Sequence, residues 1–192
     1  MTSRATYQPG PARGARARRQ GDRWTLVLVR DLRHPAEKVW RAITEPAHLR
    51  EWAPFDADRN LDGAGPVKLT TVGTPTPLVS EVTIKRAEAP KLLEYTWGGS
   101  DLRWELEPLD GSSGWAGRGT RLTLWHNIGR KFIAMGAAGW HICFDVLDHH
   151  LMGDPIGRIV AREALEFDGW QRLNAEYGRQ FATDDPADPT ET

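Results

Sequence analysis

The sequence has a single cysteine, Cys143, among 192 residues, so no disulfide framework within the chain is available to staple it. A lone thiol fits a reducing compartment. No stretch reaches the ~20 consecutive apolar residues that span a bilayer, and no apolar signal core stands near the first residue. The expectation is a cytoplasmic chain with no membrane insertion. An excess of one charge is missing too. The formal net charge is −1 and the pI about 6.6, which speaks against a nucleic-acid partner. Also lacking are a phosphate-cradling glycine loop, a serine nucleophile elbow, a zinc-protease motif and a paired-cysteine zinc site. No cofactor and no metal site are implied, so any chemistry must rest on shape and one or two polar groups.

What is present suffices for one domain with a sizeable core. Charge gathers at the two ends. Arg4, Arg13, Arg16, Arg18 and Arg19 stand among Gly, Pro and Ala, and Asp184, Asp185, Asp188 and Glu191 stand beside Pro186 and Pro189. Neither stretch has enough apolar side chains to offset the entropy of ordering it. Residues 1–22 therefore read as a disordered basic tail and residues 183–192 as a disordered acidic one.

Between them the hydrophobic period changes in a set order. Trp24–Asp31 is rich in β-branched and large apolar residues and predicts a strand. Pro35 opens a helix over Ala36–Thr44 with Val39, Trp40 and Ile43 on one side. A second short helix follows Pro46, with Leu49 and Trp52 inward. The period then becomes two over Val67–Val72, Leu78–Ala87, Lys91–Trp97, Leu102–Leu109 and Thr120–Ile128, and the short connections predict an antiparallel meander. Leu93, Tyr95 and Trp97 share a face, as do Leu102, Trp104 and Leu106, and Leu122, Leu124 and His126. Lys131–Gly153 reads as a long helix with Ile133, Ala137, Trp140, Phe144, Leu147 and Leu151 in one stripe. Asp154 and Pro155 then look like the N-cap and first position of a further helix, whose apolar stripe runs from Ile159 to Phe181.

Four separated segments carry a resemblance: HPAEKVWRAITEPAHLREW (His34–Trp52), KLLEYTWG (Lys91–Gly98), GTRLTLWHNIG (Gly119–Gly129) and AAGWHICFDVL (Ala137–Leu147). They resemble the activator of heat-shock-protein-90 ATPase homologue family, within the START-like, birch-pollen-allergen-like (SRPBCC) superfamily. The resemblance implies an α+β helix-grip fold: a curved antiparallel sheet around a long C-terminal helix over residues 23–153. It leaves residues 154–182 as a C-terminal helical extension. It also implies a hydrophobic cavity between sheet and helix, in a superfamily that binds lipids, polyketides or plant hormones. Only some of its branches are enzymes, among them aromatases and cyclases. The additional N-terminal domain of the eukaryotic co-chaperones has no counterpart here, so a co-chaperone role is not inherited with the resemblance; a co-chaperone or protein-interaction module using its exposed surface stands as a second alternative.

On that expectation the nine tryptophans gain a use, because aromatic walls with few polar groups suit a flat, apolar ligand. The expected ligand-binding residues are Trp52, Phe55, Tyr95, Trp97, Trp104, His126, Trp140 and Phe144, and the expected partner is a small hydrophobic molecule. The alternative is a cyclase-, dehydratase- or hydrolase-type enzyme with His126 or Tyr95 as acid/base groups. Arg103 alternates with Trp104 and is expected to face water. His141, Asp145 and His149 recur at steps of four along the long helix. The outer two lie about 12 Å apart, too far for one ion, so a polar face pairing with Arg158 or Arg162 is expected instead. Cys143 reads as a small core hydrophobe.

Overall fold

A computed structural model of the chain describes residues 4–109 and 119–183. Eight strands form one antiparallel sheet: β1 (Ala15–Gln20), β2 (Arg23–Leu32), β3 (Phe55–Ala57), β4 (Gly65–Thr71), β5 (Leu78–Glu88), β6 (Leu92–Trp97), β7 (Ser100–Pro108) and β8 (Thr120–Asn127). Their spatial order is β1-β2-β8-β7-β6-β5-β4-β3. Among the described strands, only the β2–β8 pairing joins distant parts of the chain; every other pair is consecutive in sequence. The β6–β7 turn is Gly98–Gly99, with φ of +58° and +79°. A two-residue hairpin turn needs this left-handed backbone. It sets Tyr95 opposite Leu102 and Leu93 opposite Trp104.

That register carries the alternating apolar residues to one face. Leu26, Leu28, Ile84, Leu93, Tyr95, Leu102, Trp104, Leu106, Leu122, Leu124 and His126 are all buried. The helices α1 (Ala36–Thr44) and α2 (Pro46–Trp52) interrupt the sheet between β2 and β3. The long helix α3 (Ile133–Leu151) lies across the sheet's apolar face, completing the helix-grip arrangement. All six residues of its expected stripe are buried, and so are Ala138, His141, Ile142, Cys143 and Val146. This helix is covered on more than one side because α5 (Asp168–Thr183) packs behind it.

Two expectations are corrected. The basic segment expected to be a disordered tail is ordered from Arg4 on and supplies the edge strand β1, paired residue for residue with β2. Edge-strand backbone hydrogen bonds supply what its short side chains lack, and its Ala–Arg alternation is a period-two pattern in miniature. Ala15 is buried, while Arg18 lies over the Trp125 ring at 4.8 Å and Arg19 over Trp24 at 5.9 Å. Ahead of it, Tyr7 is buried and its hydroxyl donates to Asp145 Oδ2 at 2.7 Å.

The second correction concerns residues 154–160, which are not helical. Gly153 and Gly157 take φ of +78° and +76°, values a right-handed helix excludes. The stretch instead crosses the structure as an irregular strap that buries Ile156, Ile159 and Val160. It is tied down where Arg158 Nη1 donates to Asp56 Oδ1 at 2.7 Å. Helix resumes as α4 (Ala161–Leu165), breaks, and restarts as α5. Acidic residues from Asp184 onward lie outside the described residues. No helix among the described residues is long and apolar enough to cross a membrane.

Candidate ligand-binding site

The space between sheet and α3 is occupied by rings. Trp52 meets Trp104 edge-on at 5.9 Å, Trp104 meets Trp140 edge-on at 5.5 Å, and Phe144 lies 5.9 Å from Trp104. Phe55 packs edge-on against Tyr95 at 6.1 Å. Edge-to-face contacts at these separations are the favoured geometry for aromatic pairs. The polar atoms inside are partnered: Trp52 Nε1 donates to the Ala42 carbonyl and Trp104 Nε1 to the Tyr95 hydroxyl. Burial pushes the Tyr95 phenol well above its ordinary range. Trp52, Phe55, Tyr95, Trp104 and Phe144, all expected to bind ligand, therefore pack against one another as core, and none lines the apolar pocket.

The open space lies one layer over. A pocket of about 310 Å³ is bounded by Trp97 and His126 at the sheet's end, by Gly136, Gly139, Trp140 and Cys143 of α3, and by Ile159, Val160, Ala164, Leu165 and Trp170 of the C-terminal extension. Pro54, Ile128, Met135 and Ala161 complete it. The two glycines clear the floor. Met135 and Leu165, 42% and 51% exposed, stand at the rim. The β4–β5 loop braces the far wall, with Gly73 packed against Val160 and Ala161. Apart from His126, the lining is aliphatic, aromatic, sulfur-bearing or glycine.

The three expected residues that do line this pocket, Trp97, His126 and Trp140, come together as a unit. Trp140 Nε1 donates to His126 Nδ1 at 3.0 Å. Trp97 lies 5.9 Å from Trp140 and 6.4 Å from His126, and its Nε1 donates to Thr71 Oγ1 at 3.1 Å. Burial lowers the His126 pKa to about 4, so the ring is neutral at pH 7. Burial likewise pushes the Cys143 thiol up to about 12. As a pair for acid/base work, His126 and Tyr95 are divided between pocket wall and packed core.

The other polar groups are used elsewhere. Arg103 faces Glu94 and Glu105 on the opposite side of the sheet. Asp145 pairs with Arg30 Nη1 at 2.7 Å and accepts from Tyr7, while His141 Nδ1 lies 2.8 Å from the Tyr177 hydroxyl. The expected partners of this polar face, Arg158 and Arg162, instead meet Asp56 and Glu166. Among the described residues no group of three or more His, Cys, Asp or Glu is placed to hold a metal ion. Sequence reasoning missed Ile159, Val160, Ala164, Leu165 and Trp170 as pocket residues, because a continuous helix from Asp154 would carry them elsewhere. The one visible signal was the pair Gly136 and Gly139, two missing side chains on a helix that is otherwise covered.

Residues 33–152 match the family model described as activator of Hsp90 ATPase homolog 1-like protein. No curated protein matches the chain. Among solved structures, the chain is similar to a conserved protein of unknown function, EF2215 from Enterococcus faecalis. There the identity is 16%, with 90% of this chain and 92% of that one covered, at a TM-score of 0.67. It is also similar to CalU16 from Micromonospora echinospora, at 21% identity, 88% and 93% coverage and a TM-score of 0.60. A third is the protein encoded by BPP1335 from Bordetella parapertussis, at 22% identity, 94% and 96% coverage and a TM-score of 0.57. At these identities the likeness establishes the fold alone.

Proposed function

The chain belongs to the activator of Hsp90 ATPase homolog 1-like family, and from that premise we propose that it binds a small hydrophobic molecule in the pocket between α3 and the C-terminal extension. The observation that carries this reading is the pocket itself. About 310 Å³ of space is lined almost wholly by apolar groups, with three indole rings, Trp97, Trp140 and Trp170, around it. That size lies at the low end for small-molecule sites. Filling it removes apolar surface from water at roughly 25 cal/mol per Å², so a compact two-ring ligand gains most of its affinity from burial. Such binding is also what the START-like resemblance implies.

The test is to fill the pocket from its own floor. A Cβ on Gly139 fits without a clash, its nearest neighbour being Trp170 Nε1 at 4.0 Å, and a larger side chain grown from it enters the pocket that Gly139 lines. Gly139→Phe should therefore leave the fold intact and occupy the ligand's place. Titration with 2-isopropenylnaphthalene, followed by tryptophan emission, should saturate with the natural chain and show no binding with Gly139→Phe. Undiminished binding to a folded Gly139→Phe protein would move the site elsewhere.

A further inference from the structure

We propose that this pocket selects an uncharged, largely apolar carbonyl compound, whose oxygen accepts a hydrogen bond from His126 Nε2–H with Trp170 Nε1–H as a second donor; the inference rests on the pocket being a ligand site. The donor at His126 follows from its neighbour. An indole N–H can only donate, and Trp140 Nε1 is aimed at His126 Nδ1 at 3.0 Å. Nδ1 must therefore carry the lone pair, and the ring proton sits on Nε2. Burial keeps the ring neutral, with its pKa near 4. His126 thus offers a fixed N–H donor on the sheet side of an apolar cavity.

Trp170 offers the second, from α5. Its Nε1 lies 4.0 Å from the point where a Cβ on Gly139 would stand, beside the pocket floor. Five other indoles, those of Trp52, Trp97, Trp104, Trp125 and Trp140, donate to protein acceptors. Neither Trp170 Nε1 nor His126 Nε2 has such a partner among the described residues.

The rest of the lining narrows the ligand by what it withholds. No charged side chain is among the lining residues, so a carboxylate entering here would lose its hydration with no counter-charge in return. His126 Nδ1 is already occupied, and Cys143 stays a thiol, a weak acceptor. An alcohol or amine proton therefore finds no strong side-chain acceptor in this lining, whereas a ketone or quinone oxygen finds two donors.

Three naphthalenes of nearly equal size separate these chemistries: 2-acetylnaphthalene, 2-isopropenylnaphthalene with CH₂ in place of the oxygen, and 2-naphthoate. By calorimetry with the full chain, the ketone should bind about threefold to tenfold more tightly than the alkene, the range of one neutral hydrogen bond. The carboxylate should bind more weakly than either. In nitrogen-15 imidazole spectra, the His126 Nε2–H signal should shift with the ketone and stay put with the alkene. His126→Phe and Trp170→Phe should each narrow the ratio between ketone and alkene affinities, which reads the lost hydrogen bond separately from any change in packing common to both probes. Should His126→Phe fail to fold for want of an acceptor for Trp140, the imidazole spectra of the natural chain and Trp170→Phe decide the question. Equal affinities for ketone and alkene, or tightest binding of the carboxylate, would overturn the carbonyl preference and leave the pocket a ligand site. Binding of neither neutral probe would remove both.

Discussion

Two glycines, one turn apart on the same helix, should respond differently to the same added methyl group. In a helix interior, replacing glycine by alanine stabilises by roughly 0.5–1 kcal/mol, because the unfolded chain has fewer conformations to lose. At Gly139 nothing opposes that gain, since the new Cβ makes only ordinary contact with Trp170 Nε1 at 4.0 Å. At Gly136 the new Cβ would stand 3.1 Å from Ile128 Cδ1 and 3.4 Å from Leu26 Cδ2. Leu26 is fully buried and held in β2, so Ile128 must yield toward the pocket. Overpacking of this kind costs about 1–3 kcal/mol, which cancels or exceeds the gain. Gly139→Ala should therefore raise the melting temperature by about 1–4 °C, at 2–4 °C per kcal/mol for a chain of this size, and Gly136→Ala should leave it unchanged or lower it. Urea denaturation with matched m-values supplies the free energies. If Gly136→Ala stabilises as much as Gly139→Ala, the packing of α3 against β2 and the pocket wall has been misjudged.

Tyr7→Phe should cost about 1.5–3 kcal/mol, the range for a hydrogen bond to a charged group, because it strips Asp145 of a donor at 2.7 Å; a change below about 0.5 kcal/mol would mean that the N-terminal segment does not dock. Acid should weaken the fold. Buried His126 and His141 both titrate near 4 against an ordinary 6.5, so between these values the unfolded chain binds more protons and stability falls as pH falls. The stability that each contributes, up to about 3 kcal/mol, is complete above pH 6.5 and lost on acidification towards pH 4. The slope of unfolding free energy against pH measures it, and His141→Gln should flatten that limb; a stability indifferent to pH across the window would show both rings to be solvated.

The central sheet and its grip on α3 were legible because their signals are local and repeated. Strands β4 to β8 alternate over most of their length, and one two-glycine turn fixes the β6–β7 register. The edge strand β1 was not, because Ala and Arg carry no strand preference, and its order comes from a partner backbone and from contacts with α5. The break after Gly153 was hidden behind Asp154–Pro155, a helix-start signal that the left-handed Gly157 overrules. The distance between the expected lining and the open pocket follows from that break. The inward direction of Trp97, His126 and Trp140 is legible because they lie on regular elements with a clear inward face. The place of Trp170 beside Gly139 is not legible, since it depends on how the strap runs. Five of the expected pocket aromatics proved to be mutual packing partners, a distinction that rests on ring geometry and leaves no trace in residue order.

The clasp between the chain's two ends sets an order of events during synthesis. Ala12 N–H donates to Glu176, and the Tyr177 hydroxyl donates to the carbonyl of Arg13, across 164 residues in each case. At a translation rate of about 5–20 residues per second, the early segment waits roughly 8–33 s before its late partner exists. Residues made early are thus among the last to settle, and the pocket wall around Trp170 is finished only when they do.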